Sequence, residues 1–171
     1  MAKGQYVAFL DSDDLWYPEK IEKQINLLAT NKSGFGYTAI EMIDLDDKIV
    51  KKKRKVKEKI TYRYLLKNTA IATSSVLIDR NIVGSFEMPN RRGGQDYATW
   101  LLLLRTQKIA YGINEALVKY RVGNKSSLSG KKTKSIKQVW EIQRKQEKIN
   151  PICVWFNLHC FVFNAFKKYF F

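Results

Sequence analysis

A short apolar run that ends abruptly in aspartates constrains the fold of this chain more than any other feature. Residues 5–10, QYVAFL, are rich in aromatic and branched side chains and predict a buried strand. Three aspartates follow within four residues, and Pro18 then suits the first turn of a helix whose inner face runs to Leu28. A strand that reaches a helix through a polar loop is typical of α/β sheets, which bind ligands at that edge.

The rest of the chain fits one α/β domain of ordinary size, since 171 residues can bury a single core. Weak alternation over residues 34–50 predicts a hairpin or a pair of short strands, and residues 74–80 predict another buried strand. Tyr97, Trp100, Leu101 and Leu104 share one helical face, and residues 109–113 and 116–121 favour two further strands. We expect a mixed sheet with flanking helices.

A helical, basic and aromatic tail over residues 131–171 is expected to follow the domain formed by residues 1–130. Its apolar part is shorter than the roughly 20 residues that a membrane-spanning helix needs. Bulky aromatic side chains beside Lys167 and Lys168 suit a helix lying in a membrane interface. The alternative is an aromatic helix packed on the domain.

Charge points to an anionic partner, because 31 Lys and Arg oppose 16 Asp and Glu. Eight of the twelve residues from Lys48 to Lys59 are basic, which raises the alternative of a nucleic-acid-binding protein. No DNA- or RNA-binding motif accompanies this run, so we expect no nucleic acid partner. His159 is the single histidine, which excludes a metal site built from several histidines.

Asp11 and Asp13 are the first candidate site residues. Two apart on an extended segment, they can turn their carboxylates to the same side, and such oxygen ligands suit Mg²⁺ or Mn²⁺ completed by water and phosphates. The alternative is that the aspartates form a turn and a helix N-cap, where Asp is favoured.

Asp96 is the second candidate. At the first turn of the predicted Tyr97–Leu104 helix, the helix dipole favours its ionised form, as a general base requires. It follows two glycines, which would let its loop approach a substrate closely. An ordinary N-cap is an equally good interpretation of the residues alone.

Several segments together resemble the family-two glycosyltransferases, which are inverting enzymes with a GT-A fold and nucleotide-sugar donors. The segments are YVAFLDSDDLWYPEKIEKQ, TSSVLIDR, GGQDYATWLLLL, ALVKYRVGNKSSLS and the aromatic tail. They span nearly the whole chain in the family's order. The resemblance is greatest to bacterial enzymes that build capsule, teichuronic acid or lipopolysaccharide sugars.

The resemblance implies a role for each matching position. Asp11 and Asp13 fall on the motif for the metal, Mg or Mn, and the donor diphosphate. Asp96 falls on the general base, and Arg121 lies in a loop that approaches the donor phosphates. Gln95 stands where the family usually has Glu, which keeps a hydrogen-bonding side chain without its charge.

Gln95 and Trp100 are assigned to the acceptor side of the same implied site. The implied partners are a nucleotide-sugar donor, expected to be a UDP-sugar, and a glycan or lipid-linked acceptor at an anionic membrane surface. The implied location is cytoplasmic, peripheral on the inner face of the bacterial plasma membrane.

The family's opening region, which binds the nucleobase and ribose, does not match any part of this chain. We therefore expect the chain to be the C-terminal portion of a glycosyltransferase, with little or no turnover by itself. The alternative is a catalytically inactive remnant that associates with membranes.

Overall fold

A computed structural model describes residues 2–68, 70–123 and 132–170. Its strands are β1 (Tyr6–Ala8), β2 (Leu15–Trp16), β3 (Phe35–Ile43), β4 (Ile49–Arg54), β5 (Lys59–Thr61), β6 (Leu77–Asp79) and β7 (Ile109–Arg121). Its helices are α1 (Lys20–Asn31), α2 (Tyr62–Leu65), α3 (Arg80–Val83), α4 (Gln95–Gln107), α5 (Lys132–Glu141) and α6 (Pro151–Phe170). A 3₁₀ turn spans Thr73–Ser75, and a π-helical turn spans Ile142–Gln146. The mixed α/β prediction is confirmed.

One mixed sheet carries the candidate site, with β3 and β7 as its central parallel pair. Their register runs from Gly36 beside Tyr111 to Ile43 beside Arg121. The other strands pair antiparallel, in the order β1-β6-β3-β7-β2, with β4 also on β3 and β5 also on β7. The carboxyl ends of β1, β3 and β7 therefore point to the same edge of the sheet. Residues 9–14 cross that edge to reach β2.

Two strand predictions need correction. The run 5–10 is not a buried strand, since β1 has three half-buried residues and pairs only with β6 among the described strands. The segments 109–113 and 116–121 are one strand, because Asn114 and Glu115 form a bulge between the Thr38–Ile113 and Ala39–Ala116 pairs. The predicted hairpin over 34–50 is confirmed as β3 and β4, and β3 is long and buried.

The basic segment forms β4 and the residues that follow it. β4 pairs only with β3 among the described strands, and its described lysines are exposed. Lysines on an edge strand discourage pairing with another chain. In this structure the run is therefore a solvated edge of the sheet.

The main core lies between the sheet and α4. All four residues of the predicted α4 face, Tyr97, Trp100, Leu101 and Leu104, are buried. The helix α6 adds Val154, Leu158 and Phe161 to the same cluster. Burying these side chains removes apolar surface from water, which is the main favourable contribution to folding.

The tail packs through one face and exposes the other. Trp155, Phe156 and Phe163 of α6 are 59%, 59% and 69% exposed. The packed-helix interpretation describes the buried face of α6, and contact of the exposed face with a membrane interface stays a prediction. The expected boundary between residues 130 and 131 lies outside the described residues. Within the described ranges, no helix has the length and apolarity needed to cross a bilayer.

Candidate active site

Residues 11–14 form a tight turn, which we call the aspartate turn. The amide of Asp14 donates to the carbonyl of Asp11 at 3.0 Å. The prediction of an extended segment is therefore wrong, and the turn alternative is confirmed for this stretch. Asp and Ser favour such turns because their side chains can bond the local backbone. The turn lies at the edge where β1, β3 and β7 end.

Asp14 fastens this turn to the sheet. It is 5% exposed, and its Oδ2 accepts from Ser74 Oγ at 2.6 Å while its Oδ1 accepts from the Arg121 amide at 2.9 Å. Ser74 Oγ in turn accepts from the Asp11 amide at 3.1 Å. Burial raises the pKa of Asp14, and the hydrogen bonds from Ser74 and Arg121 oppose that rise.

Arg121 ties the aspartate turn to the loop between β3 and β4. Its Nε donates to the Asp13 carbonyl at 2.9 Å, and one Nη donates to the Asp44 carbonyl at 2.7 Å. The other Nη bonds Asp47 Oδ1 at 2.6 Å, and the side chain is 16% exposed. Arg121 is the last residue of β7 and not part of a loop as expected, and its guanidinium is engaged by protein oxygens. Its contact with donor phosphates stays a prediction.

The carboxylates of Asp11 and Asp13 remain available to a ligand. Asp11 is exposed and Asp13 half-buried, and neither carboxylate accepts a hydrogen bond from the described residues. Burial raises the pKa of Asp11, and the charges of Asp14, Asp13 and Asp96 raise it further. Four carboxylates therefore share one region, where a cation would be favoured.

These residues fit a hard divalent ion in one specific way. No three Asp, Glu, His or Cys side chains gather at a single point in the described ranges, so the protein offers no complete cage. Mg²⁺ commonly uses one or two carboxylates and takes its other ligands from water and substrate phosphates. Asp11 and Asp13 match that arrangement.

Asp96 joins the same region from α4. It is the second residue of that helix, whose N-cap is Gly94, so the N-cap interpretation of Asp96 is wrong. Its Oδ2 accepts from Thr73 Oγ1 at 3.3 Å. The structure thus brings Asp11, Asp13 and Asp96 together, as the sequence predicted. The role of Asp96 as base stays a prediction.

The two glycines before α4 have a packing role that the sequence did not indicate. Gly93 and Gly94 have φ values of 101° and 70°, and a Cβ on Gly94 would lie 2.9 Å from Ile142 Cδ1. Gln138 of α5 donates to the Arg92 carbonyl at 3.2 Å. The glycines therefore let α5 and the following turn approach the loop, and a close approach of a substrate to this loop stays a prediction.

The two acceptor-side predictions have different outcomes. Gln95 is exposed at the start of α4, and its Oε1 accepts from the Gly93 amide at 3.2 Å, so an acceptor contact by Gln95 stays a prediction. Trp100 is 1% exposed and packs against Phe9 and Phe35 with ring centroids 5.3 and 5.4 Å away. Trp100 is therefore corrected to a core residue, because no acceptor can reach it.

Sequence reasoning missed a buried lysine beside the site. Lys20 is fully buried, and its Nζ has no hydrogen-bond partner in the described residues and lies 4.0 Å from the centroid of the Trp16 ring. Burial lowers its pKa to about 8. Trp16 Nε1 donates to the Ser74 carbonyl at 2.8 Å, so Lys20 lies against a ring that is bonded to the residues holding the aspartate turn. The Trp-Tyr-Pro sequence before α1 was the available signal.

Sequence comparisons find relatives of this chain among known proteins. A family model described as Glycosyl transferase family 2 matches residues 1–90. The chain is 41% identical over 171 residues to TuaG of Bacillus subtilis (strain 168), named as a teichuronic acid biosynthesis glycosyltransferase, covering 98% of this chain and 66% of that protein. It is 38% identical over 143 residues to Escherichia coli WfgD, named UDP-Glc:alpha-D-GlcNAc-diphosphoundecaprenol beta-1,3-glucosyltransferase, covering 82% of this chain and 54% of that protein.

The fold of this chain also matches solved structures. The chain is similar to residues 1–349 of S. aureus TarS, with a TM-score of 0.56 and 13% identity, covering 94% of this chain and 47% of that chain. TarS in complex with UDP-GlcNAc gives the same TM-score at 12% identity. This similarity confirms the GT-A-like fold. The chain spans less than two thirds of the length of these relatives and about half of the TarS chains.

Proposed function

The chain belongs to glycosyl transferase family 2, and on that premise we propose that it carries the catalytic edge of an enzyme that transfers a sugar from a nucleotide-sugar donor to an acceptor hydroxyl. The acceptor belongs to a cell-surface polysaccharide or its lipid-linked precursor, and the transfer inverts the anomeric configuration. The observation that supports this most is the gathering of Asp11, Asp13 and Asp96 at one edge of the sheet.

In this proposal Asp96 is the general base. Its carboxylate takes the proton of the acceptor hydroxyl while that oxygen forms a bond to the anomeric carbon. The bond from the anomeric carbon to the donor diphosphate breaks, and the nucleoside diphosphate leaves from the opposite face. The start of α4 favours the ionised base, because the positive end of the helix dipole lies there.

Asp11 and Asp13 are proposed to hold Mg²⁺ or Mn²⁺ against the donor diphosphate. Bound there, the ion would neutralise charge that develops on the leaving group. Asp14, Ser74 and Arg121 keep the turn in place through hydrogen bonds of 2.6 to 2.9 Å. Arg121 also supplies positive charge near the diphosphate, and Gln95 faces the acceptor from the exposed start of α4.

The proposed partners follow from the relatives. WfgD is named for a UDP-glucose donor and a diphosphoundecaprenol-linked acceptor, and TarS has been crystallised with UDP-GlcNAc. We extend to this chain a UDP-sugar donor and a lipid-linked or glycan acceptor. A lipid-linked acceptor implies that the enzyme acts at the cytoplasmic face of the bacterial plasma membrane.

The test is calorimetric binding of UDP with and without Mn²⁺. We expect metal-dependent binding by the chain, loss of it in Asp13→Ala, and retention in Asp46→Ala, a matched change in the exposed β3–β4 loop. Loss in both variants, or binding that ignores Mn²⁺, would contradict the assignment of Asp13. No binding by the unaltered chain would instead favour the second candidate function, an inactive membrane-associated remnant, which the exposed aromatic face of α6 supports.

A further inference from the structure

A wide apolar groove lies between α5 and α6, away from the aspartates. Its volume is about 700 Å³, and the helices meet through the rings of Trp140 and Trp155, whose centroids are 5.9 Å apart. Ile136, Val162 and Phe163 complete most of its apolar wall. Lys137 is the charged side chain that lines it.

The rim of this groove exposes apolar side chains to water. Trp155 and Phe163 belong to the groove, and Ile152 and Phe156 extend the apolar surface along α6, with Ile152 79% exposed. Single exposed apolar residues are ordinary, but a contiguous group of this kind marks a surface for a partner or a membrane.

The basic residues of this part of the chain favour an anionic partner for the groove. Residues 131–171 contain nine Lys and Arg and two acidic residues, Glu141 and Glu147. Both acids face arginines: Glu141 lies 3.9 Å from Arg91, and Glu147 is 2.9 Å from Arg105. The helix α6 itself contains neither Asp nor Glu. In the part of the chain that the structure describes, this surface therefore combines exposed aromatic rings with the positive charge of Lys137.

We propose that the α5–α6 face docks on a lipid bilayer that carries anionic headgroups. Trp155, Phe156 and Phe163 enter the boundary between headgroups and acyl chains, and Lys137 contacts the anionic headgroups. Aromatic and basic residues together are what a membrane interface attracts. The described residues that line the groove include no acidic side chain that could bond polar groups of a second protein chain.

Docking of this face would also orient the aspartates. The groove uses Ile136, Lys137 and Trp140 of α5, whereas Gln138 and the following Ile142 contact the loop that leads to Asp96. One helix, about 10 Å across, thus separates the lipid surface from that loop. This consequence rests on the proposed function, because a lipid-linked acceptor would then arrive beside the base. The docking itself does not depend on it.

Vesicle flotation of the whole chain tests the proposal. We expect the chain to float with phosphatidylcholine vesicles that contain phosphatidylglycerol and to remain unbound with phosphatidylcholine alone. The double variant Trp155→Ser and Phe163→Ser should lose at least tenfold in binding. The matched control, Leu45→Ser and Ile49→Ser, changes exposed apolar residues of the β3–β4 hairpin and should bind as the unaltered chain.

Other outcomes would overturn the proposal in distinct ways. Equal flotation of both double variants would place the contact elsewhere, and absence of flotation by the unaltered chain would exclude docking. A dimer in size-exclusion chromatography that the Trp155 and Phe163 changes dissociate, without change in flotation, would assign the groove to a second copy. Asp13→Ala should float normally, so failure of the donor site and failure of docking give different results.

Discussion

Two surfaces of this protein are stabilised in opposite ways. The aspartate turn is polar and is held by hydrogen bonds between residues far apart in sequence, such as Asp14 with Ser74 and with Arg121. The outer face of α5 and α6 is apolar and exposed. Polar groups at the turn are costly to leave unpaired, whereas the exposed apolar groups contribute little to the folded chain. Substitutions that remove hydrogen bonds at the aspartate turn should therefore lower the free energy of unfolding, whereas substitutions on the outer face of α5 and α6 should change it little.

Replacing Arg121 should have the largest effect. Arg121→Met removes three side-chain hydrogen bonds and leaves the carbonyl of Asp13 without its donor, while the carbonyl of Asp44 keeps only the Asp47 amide at 3.3 Å. We expect a loss of about 3 kcal/mol in the free energy of unfolding, measured by urea denaturation. Arg63→Met, at an exposed position of α2, is the control and should change little. Equal losses in both variants would contradict a special role for Arg121.

Lys20→Met should stabilise the protein, and the gain should depend on pH. The pKa of Lys20 is about 8 in the folded chain against an ordinary value of 10.5, so the unfolded state binds more protons between these values. Stability of the unaltered protein therefore rises with pH across that interval, and its cost below pH 8 is up to about 3 kcal/mol. Denaturation at pH 7 and pH 10 should show the gain in the variant shrinking as pH rises. A constant gain would show that charge burial is not its cause.

Ser74→Ala should cost about 2 kcal/mol, because it removes the donor to Asp14 and the acceptor of the Asp11 amide together. Ser12→Ala, in the same turn but exposed, should leave stability unchanged. Thermal denaturation of both variants measures the difference. A Ser74 variant as stable as the Ser12 variant would mean that water replaces the lost hydroxyl.

The double change Trp155→Ser and Phe163→Ser should alter the free energy of unfolding least, by about 1 kcal/mol, because the ring contact between Trp140 and Trp155 is the main interaction that it removes. Leu158→Ala, on the buried face of the same helix, should cost about 2 to 4 kcal/mol through the cavity it leaves. The contrast is measured by urea denaturation of the two variants. A large loss in the double variant would show that the exposed rings support the fold.

Much of the fold could be predicted because local patterns governed it. The α4 face of Tyr97 to Leu104 and the β3–β4 hairpin followed from side-chain spacing alone. The edge of an α/β sheet predicted a site at Asp11 and Asp13, and the resemblance to family-two glycosyltransferases added Asp96 to it. The bulge at Asn114 and Glu115 was hidden, since polar residues inside a strand look like its end.

The contacts within the site could not be predicted from residues that are neighbours in the sequence. Nothing near Arg121 in sequence indicates that it bonds Asp13, Asp44 and Asp47. Trp100 lies one helical turn after Asp96, but it points into the core, and the sequence does not show which aromatic face meets solvent. Gly94 was expected to let its loop approach a substrate, and the sequence did not show that Ile142, which is far along the chain, lies close to it.

The bond between Asp14 and the Arg121 amide joins positions 107 residues apart, which fixes when the site can form during folding. Helices and the β3–β4 hairpin need only neighbouring residues, whereas closing such a long loop costs chain entropy before any contact repays it. The aspartates are therefore held in place only once β7 has joined β3. A ligand that binds the assembled aspartates would recognise the completed fold alone and would draw the folding equilibrium towards it.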